Sequence, residues 1–78
     1  MIEYIEIIKN QFFSKENIDF IIKIISNKNI PIHSHDIFNS CNRVFNQFIH
    51  QIYNKKTHIN PDAIEDILIH LNKMVIDY

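Results

Sequence analysis

A chain of 78 residues with a formal charge of −1 and 46% hydrophobic side chains has the composition of one globular domain, near the lower size at which a single core holds a chain together. It contains no glycine, which excludes the Gly-cradled phosphate loop and the dinucleotide fingerprint, whose turns need a residue without a Cβ. The near-neutral charge disfavours nonspecific binding to a phosphate backbone, and nineteen isoleucines with six phenylalanines argue against disorder.

In chain order, Ile2, Ile5, Ile8 and Phe12 recur at helical spacing with Glu3, Glu6 and Lys9 opposite, which fits a short amphipathic helix over 2–11. The alternation Ile5-Glu6-Ile7 keeps a strand open as the alternative. Ser14 is suited to cap a second helix near 14–27, with Glu16 in its first turn and Ile18, Ile21, Ile22 and Ile25 on one face. Phe20 and Ile24 widen that face, so this helix calls for cover on more than one side. The Asn27–Pro31 segment ends it, because Pro31 cannot continue a helix and drives Ile30 to an extended conformation.

The longest expected helix covers 35–54, with Ile37, Cys41, Val44, Phe45, Phe48 and Ile52 in one stripe and Phe38 and Ile49 beside it. It is expected at the centre of the core. Its outward residues Asn39, Asn42, Arg43, Asn46, Gln47 and His50 include one permanent charge, and an amide-rich face of this kind suits contact with another surface. The last helix, 61–77, has the strongest start signal: Asn60 as cap, Pro61 at the first helical position, then Asp62, Glu65 and Asp66 near the positive end of the dipole. Its stripe is Ile64, Ile67, Leu68, Leu71, Val75 and Tyr78. Residues 1–78 are thus expected to form a single all-α domain, a small three- to four-helix bundle. Its expected core is Ile21, Ile25, Cys41, Val44, Phe45, Phe48, Ile67, Leu68 and Leu71.

The lone Cys41 lies on an apolar stripe and suits a buried thiol in a reducing compartment. No secretory leader is visible in Met1–Glu6, and no apolar run reaches the 18 to 20 or so residues that cross a bilayer. His33, His35, Asp36 and Cys41 carry zinc-binding atoms, but their spacing matches no closed ligand pattern, so they read as loop, cap and core residues with no metal or cofactor required. Asp62, Glu65 and Asp66 are accounted for by the helix dipole. The pair Lys55-Lys56 is accounted for in the same way at the end of the third helix. No catalytic residues are assigned, and the chain is read as a non-enzyme.

The opening Phe12-Phe13-Ser14-Lys15-Glu16-Asn17-Ile18, the apolar helix after it, the aromatic helix with Arg43 and the segment Leu71-Asn72-Lys73-Met74-Val75 resemble a helical segment of virion proteins of the large nucleocytoplasmic DNA viruses. Minor capsid proteins are among them. The likeness runs from Phe12 to Tyr78 on a short, degenerate motif. Two features depart from that pattern: Asn42-Arg43-Val44 stands where Met-Arg-Ser is usual, and there is no Pro-rich tail, so tail-mediated anchoring is not implied. A composition dominated by Ile, Asn, Lys, Phe and Tyr also fits an A/T-rich genome.

The resemblance implies a noncatalytic viral structural protein of the minor capsid or scaffolding type, located in the virion. Outside a virus, a cytoplasmic location would follow. Its contacts would be with capsid proteins or with copies of itself, through Phe20, Ile24, Asn39, Asn42, Arg43 and Asn46. The alternative is a small helical adaptor that binds a host or viral protein. A weak nucleic-acid binder ranks third and would require Lys23, Lys28, Arg43, Lys55 and Lys56 to converge on one face.

Overall fold

The computed structural model describes residues 2–31, 33–55 and 58–77, and for Ile2 and Ser34 the backbone alone. Four α-helices account for most of them: α1 (Ile2–Phe12), α2 (Lys15–Ser26), α3 (Ser34–Lys55) and α4 (Ile64–Ile76), the last entered through a 3-10 turn at Pro61–Ala63. No strand occurs among the described residues, so the alternation around Ile5-Glu6-Ile7 yields to the i, i+3, i+7 stripe of Ile5, Ile8 and Phe12. Lys56 and Tyr78 lie outside the described residues.

The corner between α1 and α2 is built by two side chains. Ser14 is extended, its Oγ accepts the Asn17 backbone N–H at 3.2 Å, and the same hydroxyl donates to the Gln11 carbonyl at 2.9 Å. Asn17 donates from Nδ2 to the Phe12 carbonyl at 2.8 Å. Carbonyls left open at the end of α1 and an amide left open at the start of α2 are thereby satisfied within one tight turn.

At the far end of α2 the chain reverses through Asn29, whose φ of 58° is left-handed. Most residues avoid that region, and asparagine is the usual substitute where glycine is lacking. Asn60 caps as expected, its Oδ1 accepting the Asp62 N–H at 3.0 Å. It caps the 3-10 turn, with α4 proper beginning four residues later at Ile64.

The core is made of Ile5, Ile8, Phe12, Ile21, Ile25, Ile37, Cys41, Val44, Phe45, Ile52, Ile59, Leu71 and Val75. Six of the nine expected core residues are among them, while Phe48, Ile67 and Leu68 are half-buried and pack against the cluster. The larger difference concerns α1. None of the nine expected core residues lies on it, yet Ile8 and Phe12 are fully buried and Ile5 nearly so. They are covered because α1 packs extensively on α4.

Helix α3 supplies more buried side chains than any other helix, and α2 and α4 each pack against all three of the other helices. A chain of ring contacts joins α1 to α3. Phe12 stacks on Phe45 at 6.2 Å, and Phe13 meets Phe38 at 5.7 Å and Phe45 edge-on at 5.6 Å. Arrangements of this kind contribute about 0.5–1.5 kcal/mol per pair beyond area burial. The bundle measures 39 × 21 × 17 Å, a rod whose length is set by the 22 residues of α3.

Candidate functional site

The six residues expected to meet a partner fall into two groups. Phe20 is 52% exposed and lines a shallow depression where α1, α2 and α4 meet, together with Asn10, Gln11, Asn17 and Leu68. Ile24, one turn further along α2, is half-buried. Its direction lies closer to that of Ile21 and Ile25 than the direction of Phe20 does, which fits its lower exposure.

The other four lie on α3. Asn39, Asn42 and Asn46 are exposed, and Arg43 is half-buried. Arg43 and Asn46 line a second shallow depression with Gln47, His50 and Gln51, all from α3, which makes it a furrow along one helix. The Asn39 amide nitrogen stands 3.2 Å from His35 Nε2.

Beside the Phe20 depression, α2 and α4 are stitched by a reciprocal amide pair. Asn17 Nδ2 donates to Asn72 Oδ1 and Asn72 Nδ2 donates to Asn17 Oδ1, both at 2.8 Å. With the bond to Phe12, the Asn17 amide makes three hydrogen bonds in a half-buried position. Both asparagines lie in the Phe12–Ile18 and Leu71–Val75 segments, as do Phe12 in the core and Ser14 at the cap, so these segments hold the fold together.

His33, His35 and Asp36 are exposed around the start of α3, whereas Cys41 is fully buried in the core. Burial pushes its thiol up to about 11, away from the thiolate that metal binding and nucleophilic attack require. Among the described residues, no three His, Cys, Asp or Glu side chains are grouped to hold a metal ion. Asp62, Glu65 and Asp66 are exposed in the first turns leading into α4, where the helix dipole favours them. No helix among the described residues is long and apolar enough to cross a membrane.

Large apolar side chains also remain open to solvent on every helix: Ile7 on α1, Phe20 on α2, Phe38 and Tyr53 on α3, and Ile69 on α4, with Ile30 in the loop. The chain matches no protein-family model, no curated protein and no solved structure.

Proposed function

We propose that this chain is a noncatalytic structural protein that works through helix-face contacts, holding neighbouring protein subunits or copies of itself in an assembly. The observation that supports this reading best is the distribution of its uncovered apolar side chains. An adaptor that grips one partner concentrates such residues in a single groove. Here they are spread over all four helices, an arrangement suited to a subunit with several neighbours.

The likeness of the Phe12–Ile18 and Leu71–Val75 segments to virion proteins of large DNA viruses supplies the specific form: a minor capsid or scaffolding protein. In that role Phe20 would seat against a capsid neighbour. The furrow of Arg43, Asn46, Gln47 and Gln51 would make polar contacts along α3, where side-chain amides both donate and accept.

Mass spectrometry of purified, protease-treated particles of the virus that encodes the chain tests this. The protein should appear at a fixed ratio to the major shell subunit, and Phe20→Asp should lower that ratio without loss of helicity. Absence from the particles would overturn the capsid reading. A monomer that takes up one partner at a one-to-one ratio would make it an adaptor.

A further inference from the structure

We propose that a second copy of this chain docks on the outer face of α4, antiparallel to it, with Ile69 at the two-fold axis. The inference rests on the interaction reading above and names one partner for it. Ile69 is 61% exposed, on the side of α4 away from the buried Leu71 and Val75. Glu65 lies four residues before it and Lys73 four residues after, so the three form one ridge along the helix, and all are exposed. Neither charge makes an ion pair or hydrogen bond with another described residue.

A row of acid, isoleucine and base is complementary to itself under a two-fold rotation. Ile69 then meets the partner's Ile69, Glu65 meets the partner's Lys73, and Lys73 meets the partner's Glu65. This is the self-matching geometry that a symmetric dimer demands. A parallel arrangement would set like charges against each other, so the row also selects the direction.

Charge reversal decides the matter, because Glu65 and Lys73 are eight residues apart and too distant to pair within their own helix. Light scattering and sedimentation equilibrium on the full chain at low salt should show a monomer–dimer equilibrium. Glu65→Lys and Lys73→Glu should each weaken it about tenfold, the effect of two exposed pairs turned from attraction to repulsion. The doubly reversed variant should dimerise as the original does. Ile69→Asp should be monomeric with an unchanged helical circular dichroism signal.

A wild-type chain that stays monomeric to millimolar concentration would overturn the dimer, as would a double variant no better than the singles. Particle incorporation separates this from the broader reading. An Ile69→Asp chain that still enters particles at the normal ratio removes the dimer from assembly and leaves the capsid role standing. A dimer that never enters particles does the reverse.

Discussion

Replacing Asn17 by Ala removes three hydrogen bonds at once: the one it donates to the Phe12 carbonyl and the two it shares with Asn72. Each such bond contributes about 0.5–1.5 kcal/mol net. The site is half-buried, so water recovers part of the loss, and the expected destabilisation is about 2–3 kcal/mol. Asn72→Ala removes only the shared pair and should cost about 1–2 kcal/mol. The double variant should then cost little more than Asn17→Ala alone, because the second substitution deletes a partner that has already lost its bonds. That corresponds to a coupling energy of about 1–2 kcal/mol. Urea unfolding followed by circular dichroism measures all three. Against a total stability of about 4–12 kcal/mol for a chain of this length, these losses are well resolved. Costs that simply add, or a larger loss for Asn72→Ala than for Asn17→Ala, would refute the assignment of the pair as a joint fastening between α2 and α4.

Phe45→Ala should cost about 3–5 kcal/mol, since the ring is buried and touches Phe12, Phe13 and Phe48; thermal unfolding with an unchanged midpoint would contradict its core position. Asn60→Ala should lose about 0.5–2 kcal/mol through the orphaned Asp62 amide, read by the same method. Because burial raises the Cys41 thiol from 9.0 to about 11, the folded state holds its proton more tightly than the unfolded state. The stabilisation is therefore complete below pH 9 and lost as pH rises from there through 11. Denaturation midpoints across that window should fall more steeply for the wild type than for Cys41→Ala, and iodoacetamide should label the native thiol only as fast as the protein opens.

Helix positions were legible because periodicity and caps are local properties. Ser14 marked the start of α2, Asn60 the start of the 3-10 turn that leads into α4, and the stripe from Ile37 to Ile52 the face that α3 buries. Periodicity says which residues share a face but not which neighbour covers it, and that is why the expected core held no residue of α1, although the packing of α1 on α4 buries Ile5 and Ile8. It also blurs the edge of a stripe. Phe20 and Ile24 looked equivalent, yet Phe20 is exposed and Ile24 is half-buried. The Asn17–Asn72 pair joins residues 55 positions apart, and no spacing rule reaches that far. Of the two depressions, the α3 furrow could be read from one helix alone. The one around Phe20 needed the relative placement of three helices.

The separation of 55 positions between Asn17 and Asn72 also bears on the order of events when the chain folds. Closing a loop of that length costs about 3.5 kcal/mol in chain entropy, more than the amide pair returns. Apolar burial between α4 and the other helices must therefore bring the ends together first, and the two amides engage after the barrier has been crossed. Bonds formed so late leave the folding rate almost untouched and act on escape from the native state. In stopped-flow experiments Asn72→Ala, which removes the shared pair alone, should fold about as fast as the wild type and unfold about 5 to 30 times faster. The reciprocal asparagines thus work as a latch: they do not help the bundle find its shape, but they lengthen the time it keeps it.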